Sequence, residues 1–230
     1  MGLFDRLYAP DRPDVPRDVP KKTGLALLLQ ILGREWWELL KLNIVFILMA
    51  LPVVTLPAAQ AGATRVALDL VEDRNSYLGR DFMETFRTEF WRASLGGWLI
   101  GAGQGIALYA IWVYLQALAA SPVYAIAVIV SGGGFLVLTL TAFHFYPLLV
   151  ETDLSLGLTL KNALILAIIN LPRGALAFAV CLMLWIIHVA AYPVSVFMPA
   201  MMNFSLGTLV ATFAAQGAIR RYVIREEERA

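Results

Sequence analysis

The sequence predicts an all-α protein: a polytopic transmembrane helical bundle of four to five spans, with amphipathic helices at the membrane surface. Three observations predict it. Hydrophobic residues make up 60% of the 230-residue chain and charged ones 15%, against about 45–50% and about 25% in soluble domains, which leaves more apolar surface than a domain of this size hides from water. Charge is absent from two long stretches, between Arg92 and Glu151 and between Arg173 and Arg220. No ten-residue alternation of a membrane barrel occurs, and an open strand in lipid would leave backbone groups unpaired, so the spans must be helices.

Residues 1–23 combine Pro10, Pro13, Pro16 and Pro20 with interspersed acids and bases. No apolar run of a secretory signal is present there, and the composition predicts a disordered, proline-rich cytoplasmic tail. Residues 24–41, "GLALLLQILGREWWELLK", follow with helical spacing: Gln30, Arg34, Glu38 and Lys41 form one narrow polar stripe. Such a helix either lies along the membrane surface with Trp36 and Trp37 at headgroup level, or packs its apolar face on the bundle.

The segment 43–63, "NIVFILMALPVVTLPAAQAGA", admits two readings. It is uncharged and long enough to cross, and membrane helices tolerate prolines when neighbours supply partners, with Thr55 able to bond the carbonyls that Pro52 and Pro57 free. A kinked span would, however, place the basic residues before it and those after it on opposite sides. A re-entrant hairpin turning near 52–57 keeps all 18 lysines and arginines on one side. Both readings remain open from sequence.

Residues 65–92 form the largest charged segment. Asn75 and Gly79 mark a turn, and Asp81 followed by Glu84 resembles a capping box opening a helix. That helix, "DFMETFRTEFWR", spaces Phe82, Phe86 and Phe90 four apart, the pattern of a helix packed under the bundle or of a docking surface for another protein.

The charge-free stretches then supply two helical hairpins. The first has spans at about 93–117 and 124–148 around a turn at 118–124; the second has spans at about 174–192 and 200–219 around 191–203. Both turns lack lysine and arginine, whereas their other ends carry Arg65, Arg74, Arg80, Arg87 and Arg92, then Lys161 and Arg173, then Arg220, Arg221, Arg225 and Arg229. By the positive-inside rule those ends, and the C-terminus, are cytoplasmic. Between the hairpins, 154–172 reads as a helix start capped by Ser155 or Thr159. Its closing Leu171-Pro172 matches a permease coupling helix, but the acidic start and spaced glycine of such helices are missing.

Function is less legible. H-E-x-x-H, G-x-S-x-G and G-x-x-x-x-G-K-[ST] are all missing, so no catalytic residue, metal ligand or cofactor is expected. A formal net charge of +1 argues against nucleic acid as a partner. Cys181 is the sole cysteine and makes no internal disulfide. His144, His188, Gln104, Gln116, Asn203 and Gln216 are the polar groups within the spans and outline no pathway; each histidine reads as an interfacial hydrogen-bonding group. Gly97, Gly101 and Gly105 fall on one helix face and predict close helix packing, within the chain or in a homo-oligomer.

The stretches "NIVFILMALPVVTLPAAQAGATRVALDLV", "DFMETFRTEFWRASLGGWLI" and "FYPLLVETDLSLGLTLKNALILAIINLP" resemble the YesL-like family of bacterial membrane proteins, a domain of unknown function. The residues that carry the resemblance are Asn43, Pro52, Thr55 and Pro57, the phenylalanines Phe82, Phe86 and Phe90, and Asn162 within Lys161-Asn162-Ala163. Members are commonly encoded beside carbohydrate ABC transporters. The resemblance therefore implies a multi-pass protein of the bacterial inner membrane, in contact with the lipid bilayer and with a carbohydrate ABC transporter or another membrane protein. On that basis the chain is expected to be a non-enzymatic accessory or regulatory partner of a carbohydrate-uptake system; the alternative is a small transporter or permease-like subunit in its own right.

Overall fold

The structure, a computed structural model, describes residues 24–224, which contain helices and no strand. The expected tail, 1–23, and the basic residues beyond 224 lie outside the described residues. Among the described residues nine α-helices follow one another: α1 (Leu25–Arg34), α2 (Trp36–Ala50), α3 (Leu56–Val71), α4 (Leu78–Thr88), α5 (Phe90–Ala117), α6 (Tyr124–Glu151), α7 (Leu156–Ile169), α8 (Leu171–Ala190) and α9 (Phe204–Ile219).

The segment that sequence left open folds back on itself as a helical hairpin of α2 and α3. Arg34, just before α2, donates to Asp73, just after α3, at 2.7 Å, so the chain leaves and returns at one end of the bundle. The 15 residues of α2 rise about 22 Å, short of the ~30 Å hydrocarbon core. The tip itself is apolar: Leu51, Val53 and Val54 are exposed, and Pro52 and Pro57 offer no N–H that would need an acceptor in lipid. The carbonyls of the tip do have donors. The single Thr55 hydroxyl hydrogen serves Met49 O at 2.5 Å, with Pro52 O at 2.7 Å from the same oxygen, the Thr55 N–H donates to Pro52 O at 2.7 Å, and Trp98 Nε1 of α5 donates to Val54 O at 3.2 Å.

The returning leg forms the core of the protein. Twelve of the 16 residues of α3 are buried, whereas α5 buries only four of its 28. The difference follows from side-chain size, since Ala58, Ala59, Ala61, Gly62, Ala63 and Ala67 let neighbouring helices close on α3 from several sides. The outer helices instead expose Trp91, Ile106, Ile129 and Leu176, as expected where the surroundings are lipid. By length and composition α5, α6 and α8 can each cross a membrane. The fourth expected span is the shorter α9, extended by π-turns at Pro199–Asn203 and Arg220–Ile224.

Other expectations are adjusted in detail. The turn between α5 and α6 falls at 118–123, as anticipated. The single helix expected over 24–41 breaks at Glu35 into α1 and α2, and α1 buries Ile31 against Leu39, Ala67, Leu70 and Leu209 while Leu25 and Leu29 stay exposed. Helix α4 opens at Leu78 rather than Asp81; Asp81 Oδ2 instead accepts from the Tyr77 N–H at 2.7 Å, capping from inside the first turn. Phe82 is fully buried and stacks with Phe86 at 6.4 Å, which meets Phe90 edge-on at 5.7 Å. These rings bind α4 to the bundle against Leu42, Phe46, Ala59 and Ala63, so Phe82 presents nothing to a partner.

A polar cavity inside the bundle

Two features set the polar interior. The first is a clamp. At the π-turn before α9, a five-residue turn sets the carbonyls of Pro199 and Ala200 opposite the N–H groups of Phe204 and Ser205. Asn43 of α2, fully buried, bridges them: Nδ2 donates to Pro199 O at 2.9 Å and Ala200 O at 2.8 Å, and Oδ1 accepts from the N–H groups of Phe204 and Ser205 at 3.0 Å each.

The second is an open-sided cavity of about 290 Å³ bordered by α3, α5, α6, α8, α9 and the π-turn before α9. Its polar walls are Gln60, Thr64, Gln104, Tyr146, Thr208 and Asn203, and its apolar walls include Phe143, Trp185 and Phe204. Gln60 Nε2 donates to Thr208 Oγ1 at 2.9 Å and Gln104 Nε2 to Thr139 Oγ1 at 3.1 Å; neither side-chain carbonyl has a partner among the described residues. Asn203, 2% exposed, has neither Oδ1 nor Nδ2 hydrogen-bonded. An unsatisfied buried polar group costs about 1–3 kcal/mol. Sequence reasoning noted Gln104 and Asn203 but placed them on no common pathway, and it gave Gln60 no role. The only signal for Gln60 was a polar residue one turn beyond Pro57 in an otherwise apolar run.

At the ion-paired end of the bundle, the Glu72 carboxylate takes Arg74, Arg220 and Gln216 as partners. Gln216 Nε2 also donates to Glu151 at 2.9 Å. The C-terminal ends of α3, α6 and α9 are thereby joined. Asp69, beside Arg65 at 3.5 Å, has its carboxyl raised above the ordinary value by burial, with Arg65 opposing and Asp81 adding to the rise. Next to it, a groove of about 350 Å³ lies between α3 and α4, lined by Arg65, Arg80, Asp81, Glu84 and Glu89.

The residues singled out from sequence are thus distributed. Asn43, Pro52, Thr55 and Pro57 belong to the hairpin, and Phe82, Phe86 and Phe90 anchor α4. Asn162 lies half-buried on α7, apart from the cavity. Of the glycine stripe only Gly97 meets a neighbour closely: a Cβ there would lie 2.5 Å from Pro57 Cβ. Gly101 and Gly105 have no such contact, while Gly96, which sequence passed over, would place a Cβ 2.3 Å from Phe145 Cζ. His144 lies on α6 inside the bundle. It is fully buried, with Nδ1 2.8 Å from Leu140 O and Nε2 3.2 Å from the Asn170 amide. Nε2 accepts from that amide, so Nδ1 carries the proton and donates. Asn170 Nδ2 also donates to Ala214 O at 2.9 Å, tying the α7–α8 bend to α9.

No curated protein and no solved structure matches the chain. Residues 39–111, which hold most of α2, all of α3 and α4 and the larger part of α5, match the family described as "Protein of unknown function, DUF624".

Proposed function

We propose that the chain is a non-enzymatic, multi-pass protein of the bacterial inner membrane, of the YesL-like kind, that serves as an accessory or regulatory partner of a carbohydrate-uptake system. One observation supports the reading: the α2–α3 hairpin brings its charged ends together beside α4, where Arg65, Arg80, Asp81 and Glu84 line a groove, so charge, groove and the mouth of the hairpin form one polar surface. The match over 39–111 spans that unit, and the sugar-uptake context comes from the resemblance described above. The positive-inside rule puts this face, and the C-terminus, in the cytoplasm. The competing reading, a small transporter, draws on the interrupted helix before α9, because such breaks can free backbone groups for a substrate. Here Asn43 occupies those groups, which favours a structural use of the break.

The test is site-specific photocrosslinking in native membranes from Glu84 and Arg87, both exposed on α4. Capture of a permease subunit of a carbohydrate transporter is expected. Crosslinks to lipid or to a second copy alone would overturn the reading.

A further inference from the structure

We propose that the cavity between α3, α5, α6, α8 and α9 is a binding site for a small, uncharged molecule carrying several hydroxyl groups on an apolar frame. This stands on the cavity alone and is independent of the partner reading above.

Three observations converge. First, no charged residue lines the cavity, so neither an anion nor a cation would find a counter-charge there, and desolvating one would be costly. Second, the hydrogen-bonding capacity left open is of both signs. Asn203 keeps its amide hydrogens and its carbonyl unpaired although it is 2% exposed, and Gln60 and Gln104 each spend only an amide hydrogen within the protein. Hydroxyl groups donate and accept at once, so a ring or chain bearing several of them is the occupant that meets such a wall. Third, Trp185, Phe143 and Phe204 offer aromatic surface to the same space, suited to the C–H faces of that frame. The volume, about 290 Å³, stands at the lower edge of small-molecule sites, which run from about 300 Å³ upward. The occupant is therefore the size of a single sugar ring or smaller. It could arrive free in solution or as the head of a neutral lipid, and the chemistry recognised is the same.

Cys181, the only cysteine in the chain, lines this cavity and serves as a reporter without any engineering. The rate at which a small neutral methanethiosulfonate modifies Cys181 is followed by intact mass on the full-length purified chain. The free probes are D-glucose, myo-inositol and glycerol, with glucose 6-phosphate as the charged control. The lipid-borne probe is glucosyl-diacylglycerol in nanodiscs, compared with diacylglycerol.

At least one neutral probe is expected to slow modification, by about tenfold at ten times its Kd, while glucose 6-phosphate does not. Protection by the free probe identifies entry from solution, and protection by the glucosyl lipid alone identifies entry from the bilayer. Asn203→Leu is expected to abolish protection while keeping the elution position of the native chain. Should that variant fail to fold, Gln104→Leu takes its place with the same expectation. Protection by none of the hydroxylated probes, equal protection by plain diacylglycerol, or protection unchanged in both variants would each overturn the site. A chain that crosslinks to a permease yet shows no protection loses this inference and keeps the partner reading.

Discussion

A carboxamide carries two donors and two acceptor lone pairs, and Asn43 spends all four on one turn before α9. Replacing it with alanine removes the partner of two carbonyls and two N–H groups, the Ser205 N–H among them buried. Asn43→Ala is therefore expected to lower stability by about 3 kcal/mol or more, read as the unfolding free energy of the detergent-solubilised protein. Packing gives a paired prediction. Gly96→Ala drives a Cβ into the Phe145 ring and is expected to cost about 1–3 kcal/mol, whereas Gly101→Ala and Gly105→Ala stay within about 0.5 kcal/mol. Thermal midpoints of the three variants separate the two cases. Asp69 yields a pH dependence. Because burial raises its folded-state value, the folded chain holds a proton that the unfolded chain has released, in the window above the ordinary carboxylate range. In that window stability falls as pH rises, and the stability that the shift contributes is complete only below it. Asp69→Asn removes this slope, so its thermal midpoint is expected to gain on that of the native chain as pH climbs from acid toward neutrality, in matched melts across that range.

At the scale of elements, the hairpin α2–α3 makes a topological prediction. In a Cys181→Ala background, single cysteines at Thr23 and Asn75 are expected to react with a membrane-impermeant maleimide from the same side, Ser121→Cys from the opposite side, and Val54→Cys from neither. Reaction of Thr23 and Asn75 from opposite sides would turn the hairpin into a span. The sequence made this pair of helices visible only as a choice. Charge-free runs mark α5, α6 and their turn directly, because charge is costly in lipid. Pro52 and Pro57, by contrast, are compatible with a kink or a reversal, and what decides is the meeting of Arg34 with Asp73, residues 39 apart. The clamp on α9 and the cavity were hidden for the same reason: Asn43 bonds groups more than 150 residues away, and the cavity walls come from five helices. The glycine stripe misled because spacing identifies a face without identifying what packs on it.

Across the whole molecule, the described charges gather at one end, and their worth depends on burial. In the Arg34–Asp73 pair the Asp73 side chain is exposed, and Asp73→Asn, which leaves Arg34 paired with Glu35, is expected to cost less than about 1 kcal/mol. The Glu72 side chain is 3% exposed among Arg74 and Arg220. Glu72→Leu removes the carboxylate that Arg74, Arg220 and Gln216 share, while Gln216 and Arg74 keep Glu151, with an expected loss of about 2 kcal/mol. Chemical unfolding of both variants checks the contrast.

The reversal at Leu51–Thr55 also bears on how the chain enters the bilayer during synthesis. In the proposed topology the hairpin comes back without emerging and the far side receives the links 118–123 and 191–198, neither of which contains an acid or a base. In the proposed orientation the insertion machinery carries no ionised group of the described residues through the hydrocarbon. The thermodynamic barrier to threading reduces to hydrating and dehydrating two short uncharged loops.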